Sequence, residues 1–224
     1  MKVSELLFFI PIAFTALFPV VNPIGTAILF LNLTEEANSK IRRQIARKIA
    51  ANSILVMIIT LFIGIYFLKL FGISIPVVQT CGGLVLFAMG WKSLNSEESL
   101  NDASKKAYIK DDVEVTDTYA KQSFYPFTFP LTIGPGTIAT TLTLGAEASK
   151  ESNSEFMLES YLGAAIAMLL ISLCIFIAYG YADRLVMRLS PNFQKAMMRL
   201  LSFILLCIGG QITANGIHAL IMTF

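Results

Sequence analysis

Residues 18–26 of the chain read Phe18-Pro19-Val20-Val21-Asn22-Pro23-Ile24-Gly25-Thr26, and they interrupt a stretch of 29 residues without a charge. A small polar residue followed by proline is a helix-start signal, because proline lacks an N–H and the first turn of a helix does not use that donor. A similar stretch follows in the second half of the chain: Phe129-Pro130-Leu131-Thr132-Ile133-Gly134-Pro135-Gly136-Thr137. We therefore expect a broken helix at each place.

The two stretches belong to a chain that is too apolar for a soluble domain. Hydrophobic residues make up 55% of its 224 residues and the mean hydropathy is +0.69. Six uncharged runs cover residues 6–34, 49–68, 70–91, 122–146, 160–182 and 200–224. Each run is long enough to cross a hydrocarbon core of roughly 30 Å at about 1.5 Å per residue. The sequence predicts an all-α membrane protein with six transmembrane helices, of which helices 1 and 4 are broken.

The basic residues predict the orientation of these helices. Of the 17 Lys and Arg residues, 14 lie in the alternate loops 35–48, 92–121 and 183–199. The positive-inside rule places these loops in the cytoplasm and both termini outside. The net charge of +2 is therefore a signal of topology, and we expect no nucleic-acid partner.

The spans form two groups of three that resemble each other. Spans three and six match at an offset of 126 residues, with Gly83 on Gly209, Ala88 on Ala214, Gly90 on Gly216 and Leu94 on Leu220. Because each group has an odd number of spans, the second group crosses the membrane in the opposite orientation to the first. We expect a first repeat over residues 1–94, a cytoplasmic linker over 95–121 and a second repeat over 122–224.

Broken helices inside a bilayer are tolerated only where the freed backbone groups face protein, water or a ligand. Matched breaks in inverted repeats are typical of a transporter with its substrate near the membrane midplane. Free N–H groups at a helix start bind a carboxylate, and the carbonyls before the break accept from an ammonium group. The predicted binding residues are Asn22, Pro23, Gly25, Thr26, Gly134, Pro135, Gly136 and Thr137, with Gln211 and Asn215 as secondary candidates.

The interior of the six runs holds no Asp, Glu, Lys or Arg side chain, and His218 lies near the outer end of span six, so we expect the charges to lie at the membrane rims. Transport should then not depend on any single carboxylate, which leaves exchange, facilitated diffusion and sodium coupling open. The sequence has no phosphate-binding loop, no metal-ligand cluster and no nucleophile–base pair. We expect no enzyme activity, no cofactor and no metal site.

The chain resembles the MarC family of bacterial inner-membrane proteins, also described as small neutral amino acid transporters. The likeness lies in both break motifs, in the size of the chain and in its long central loop. The resemblance covers nearly the whole chain and rests on Asn22-Pro23-Ile24-Gly25 and on residues 130–138. It implies a multi-pass protein of the bacterial inner membrane that carries glycine-, alanine- or serine-like substrates. An exporter of drugs or metabolites and a non-transporting membrane scaffold are the alternatives. The exact substrate, the coupling ion, the direction of transport and the oligomeric state, a homo-oligomer included, remain open.

Overall fold

A computed structural model describes residues 3–34, 37–95, 119, 121–149, 154–187 and 191–222. Within these ranges the chain is mostly helical, although the backbones of Tyr125 and Phe129 are extended. The elements are α1 (Val3–Val21), α2 (Pro23–Leu33), α3 (Ser39–Leu70), α4 (Ile75–Asn95), a π-helical segment (Ser123–Thr132), α5 (Pro135–Ser149), α6 (Ser154–Gly180), α7 (Ala182–Met187) and α8 (Pro191–Ile221). Most of the predicted linker, residues 95–121, lies outside the described residues.

Five stretches of the described chain are long and apolar enough to cross a membrane. They are Leu6–Leu31, Ser39–Leu70, Ile75–Asn95, Ser154–Gly180 and Lys195–Ile221. The fourth predicted span, residues 122–146, is divided between the π-helical segment and the 15-residue helix α5. Because neither piece alone is long enough to span a bilayer, the count of six transmembrane helices stays a prediction.

Helices α1, α3 and α6 form the central layer of the protein. Their facing side chains are apolar and buried, among them Leu17 of α1, Ile49 of α3 and Ile171 of α6. The Ser172 hydroxyl of α6 donates to the Ala50 carbonyl of α3 at 2.7 Å and fixes the level at which these two helices meet. The second broken region packs against this layer through α3, α1 and α6.

Helices α4 and α8 pair along their whole length through glycines. A Cβ atom at Gly83 would lie 2.7 Å from the Gly209 carbonyl oxygen, and one at Gly209 would lie 2.8 Å from the Gly83 carbonyl oxygen. At these distances the backbone of α4 packs directly against the backbone of α8. Small residues that allow this approach are the usual means of joining helices in a membrane, where the lipid removes the hydrophobic drive to associate.

The contacts of this pair occur in matched sets. Gly83 faces Thr213 while Gly209 faces Phe87, and Gly90 faces Leu206 while Gly216 faces Thr80. A shift of 126 residues converts one member of each set into the other. This is the pattern of two equivalent helices that meet at a two-fold axis, since such an interface pairs residue i with j and j with i.

Candidate functional site

The first candidate break lies at Asn22, between α1 and α2. Its backbone is left-handed, with φ 49° and ψ 59°, a conformation that asparagine adopts more readily than most residues. The Asn22 side-chain oxygen accepts from the Gly25 N–H at 3.1 Å, and its carbonyl accepts from the Thr26 N–H at 3.0 Å. The residue is therefore the N-cap of α2. It satisfies two of the N–H groups that were predicted to face a ligand.

The second candidate break lies at Ile133 and Gly134, between the π-helical segment and α5. Thr128 and Thr132 donate their hydroxyls to carbonyls five residues earlier, and the Ile133 N–H bonds the Thr128 carbonyl at 2.8 Å. The first backbone bond of α5 runs from the Ile138 N–H to the Gly134 carbonyl at 3.2 Å. The N–H groups of Gly136 and Thr137 precede that bond, so this helix start is the more open of the two.

Tyr179 of α6 connects the two candidate breaks. Its hydroxyl lies 2.8 Å from the Thr132 hydroxyl, directly before the second break, and it also interacts with the Thr26 side chain in the first turn of α2. The side chain is fully buried, and its ring stacks on Phe30 with 4.7 Å between the ring centres. This residue was not among those predicted from the sequence. A tyrosine inside an apolar span was the available signal, because a buried hydroxyl needs a partner.

Three further buried hydroxyls, Ser53 Oγ, Thr140 Oγ1 and Thr141 Oγ1, have no hydrogen-bond partner in the described structure. Thr140 and Thr141 lie in the second turn of α5, directly after the predicted binding residues. Ser53 lies on α3, which packs on α5. Most buried polar side chains find a partner, so these three hydroxyls are available to a ligand or to water.

Two of the predicted binding glycines have close protein neighbours. A Cβ atom at Gly25 would lie 2.9 Å from Cγ of Asn22, and one at Gly136 would lie 2.5 Å from Cγ of Leu86. A larger side chain at either position would therefore disturb packing. Gly134 differs, since its Cβ would meet only the Pro130 carbonyl oxygen at 3.4 Å.

The secondary candidates Gln211 and Asn215 lie apart from the buried hydroxyls. Both are exposed on α8, and the Gln211 amide donates to the Asn215 side-chain oxygen at 2.9 Å. An i, i+4 pair of this kind satisfies part of the polar capacity of each side chain within one helix. No group of three or more His, Cys, Asp or Glu side chains in the described part of the chain is arranged to hold a metal ion.

Glu159, whose charge was expected at a membrane rim, is buried by the protein itself. This residue lies in the second turn of α6, is 2% exposed, and neither of its carboxylate oxygens has a hydrogen-bond partner. The uncharged run 160–182 begins one residue later, but the helix begins at Ser154 and carries Glu159 into the packed interior. An unpaired carboxylate inside a membrane helix is costly.

We expect Glu159→Gln to fold and to unfold at the same or a higher temperature, because glutamine keeps the shape and removes the unpaired charge. Counterflow of substrate should remain measurable in proteoliposomes, in line with transport that depends on no single carboxylate. The matched control is Glu155→Gln, one turn earlier and exposed, which should not raise the unfolding temperature. Loss of counterflow in a folded Glu159→Gln protein would show that this carboxylate takes part in transport.

Comparison with known proteins extends over nearly the whole chain. Residues 7–221 match the family described as MarC family integral membrane protein. The chain is 30% identical to the UPF0056 membrane protein YvbG of Bacillus subtilis over 217 residues, which cover 95% of both chains. It is 26% identical to the UPF0056 inner membrane protein MarC of Escherichia coli K12 over 216 residues, 96% of both. No solved structure matches the chain.

Proposed function

Because this chain belongs to the MarC family of integral membrane proteins, we propose that it is a secondary transporter of small neutral amino acids such as glycine, alanine and serine. The observation that carries this proposal is the buried Tyr179 hydroxyl, which hydrogen-bonds Thr132 before the second break and interacts with Thr26 after the first. It joins the two interrupted regions in a buried layer that contains hydroxyl and backbone groups. Such a layer suits a ligand that is polar, small and without net charge.

The substrate carboxylate fits the start of α5 better than the start of α2. Asn22 already caps α2, whereas the first N–H groups of α5 are free to donate and carry the positive end of the helix dipole. Thr137 is 1% exposed and belongs to the same turn. The ammonium group would bind carbonyls freed near Asn22, because Pro23 offers no N–H to the Pro19 carbonyl four residues before it.

The hydroxyls of Thr140 and Thr141 complete the proposed receptor. Each can donate to a carboxylate or accept from an ammonium group, and neither has a partner within the protein. Phe30 and Tyr179 are large, fully buried side chains that stack on each other in the layer of Thr132. Bulky side chains in this layer favour a small amino acid over a drug molecule and do not favour the efflux alternative.

We propose the arrangement of two inverted three-helix repeats for the whole protein, with residues 1–94 and 122–224 as the repeats and 95–121 as their linker. The matched contacts between α4 and α8 support it, because they repeat under the same shift of 126 residues that relates the two sequences. The inner bacterial membrane is the proposed location, in keeping with the name of the Escherichia coli relative. We propose that both termini lie outside, because the basic residues of the alternate loops favour that orientation.

The proposed function predicts that purified protein in liposomes exchanges labelled glycine, alanine and serine. Preloaded unlabelled substrate should drive accumulation of the labelled substrate, whereas liposomes without protein should show none. Gradients of sodium and of pH, imposed one at a time, identify the coupling ion. Absence of counterflow for all three amino acids with a folded protein would refute the proposal, and counterflow of only large or cationic compounds would favour efflux.

A further inference from the structure

A cavity of about 510 Å³ opens at the end of the protein where α3 begins. Ser39, Lys40, Arg43, Gln44, Arg47 and Phe176 line it. Its volume lies within the range of about 300–1,000 Å³ that is usual for small-molecule sites. Phe176 packs against the buried core that contains Tyr179, but no residue of the proposed transport site lines the cavity.

Three positive charges surround this cavity. Lys40, Arg43 and Arg47 follow one face of α3 at spacings of three and four residues. The Arg43 guanidinium lies over the Tyr181 ring, 4.5 Å from its centre, which fixes its position in the wall, and its buried Nε has no hydrogen-bond partner. Neither Lys40 nor Arg47 forms an ion pair or a side-chain hydrogen bond within the described residues. The cavity therefore attracts an anion.

The nearby carboxylate of Asp183 does not cancel these charges. The Ser39 hydroxyl donates to Asp183 Oδ2 at 2.5 Å and lowers the pKa of this carboxyl, and Arg42 and Arg184 act in the same direction. The negative charge of Asp183 is thus balanced by two arginines that do not line the cavity. The positive charges of Lys40 and Arg47 are therefore available to bind an anionic ligand.

The depth of the cavity identifies the kind of anion. Helix α3 has 32 residues and is roughly 48 Å long, which exceeds a hydrocarbon core of roughly 30 Å. Its uncharged part, residues 49–68, accounts for that core. The three cationic residues therefore lie just beyond it, at the level of the lipid headgroups. Phe176 of α6 provides an apolar wall at the deeper side, next to the acyl chains.

We propose that this cavity binds the headgroup of an acidic phospholipid, with its phosphate between Lys40 and Arg47 and its acyl chains along Phe176. A basic pocket between membrane helices at headgroup depth has the charge, the location and the apolar edge that such a lipid requires. A lipid held there bridges α3 and α6, the two helices that carry the central layer. The site is independent of the transported substrate.

Titration of purified full-length protein with phosphatidylglycerol, followed by native mass spectrometry, tests this site. The first bound phosphatidylglycerol should bind at least tenfold more tightly than phosphatidylcholine. The double variant Lys40→Gln/Arg47→Gln should reduce its affinity by more than tenfold, since each basic residue near the surface contributes about fivefold. Both side chains are exposed, so this variant should keep the unfolding temperature of the lipid-free protein.

The matched control is Lys48→Gln/Lys69→Gln, which removes the same charge from the same helix outside the cavity. Its affinity for phosphatidylglycerol should stay within twofold of the unchanged protein. Equal losses in the two double variants would overturn the site, because diffuse charge would then explain the binding. Complete displacement of the lipid by millimolar inorganic phosphate would also overturn it in favour of a site for a free anion.

Discussion

Replacement of Gly209 by valine should leave little folded protein, because α4 and α8 can then no longer pack. A Cβ atom at this position would lie 2.8 Å from both the Phe87 Cα and the Gly83 carbonyl oxygen. These are backbone atoms, which cannot rotate away as the end of a side chain can. Overpacking costs typically 1–3 kcal/mol where side chains can adjust, and we expect roughly 3 kcal/mol or more here. The yield of monodisperse protein and the unfolding temperature measure the loss.

The neighbouring glycine supplies the control for this experiment. A Cβ atom at Gly210 would meet only Phe87 Cδ2, at the ordinary contact distance of 3.8 Å, so Gly210→Val should retain the yield and unfolding temperature of the unchanged protein. Gly83→Val should be as damaging as Gly209→Val, because the two glycines have equivalent contacts. If Gly209→Val were as stable as Gly210→Val, the helices could not pair through these glycines.

The sequence pairs Gly83 with Gly209 and Gly90 with Gly216, and the structure gives the members of each pair equivalent close contacts between α4 and α8. This pairing was visible because glycines recur at the same spacing in both helices, and small residues at helix contacts are common in membranes. The crowded surroundings of Gly136 were not predictable in this way. They depend on Leu86, which is 50 residues away and is brought there only by the packing of α4 on α5.

The fourth uncharged run shows where apolar composition stops being informative. Composition alone predicts a single span over residues 122–146, but Pro126 and Pro130 lie inside it. Proline removes an N–H donor and clashes with the preceding turn, so a regular α-helix cannot continue there. The backbone is instead extended at Tyr125 and Phe129, and the Ile133 N–H bonds the Thr128 carbonyl five residues earlier. The spacing of these prolines was present in the sequence and would have predicted an irregular first half.

Neither the role of Tyr179 nor the burial of Glu159 could be predicted from the sequence, and the cause is the same for both. Each depends on which face of α6 turns inward, and this helix is apolar on all sides with too little asymmetry to reveal it. The capping role of Asn22, in contrast, is local to four residues and followed from the Asn-Pro pair. Local hydrogen bonding was thus predictable, whereas contacts between distant helices were not.

We expect Thr141→Val to weaken substrate binding strongly while the protein stays folded. Valine matches threonine in shape, and the Thr141 hydroxyl is buried without a partner, so its removal breaks no hydrogen bond within the protein. In the proposed transporter this hydroxyl bonds a charged group of the substrate, which is worth roughly 1.5–3 kcal/mol. The half-saturation concentration for glycine counterflow should then rise on the order of ten- to hundredfold. The unfolding temperature should be unchanged or higher.

Thr143→Val is the matched control, because Thr143 lies two residues later on α5 and donates its hydroxyl to the Ala139 carbonyl at 3.0 Å. This hydroxyl is already satisfied within its helix, so its removal should leave the half-saturation concentration within twofold. The comparison separates substrate contact from packing, which valine at the crowded Gly25 or Gly136 cannot do. Wild-type affinity in both Thr141→Val and Thr137→Val would mean that the interrupted helices are only kinks. The substrate would then have to bind outside the layer that Tyr179 connects.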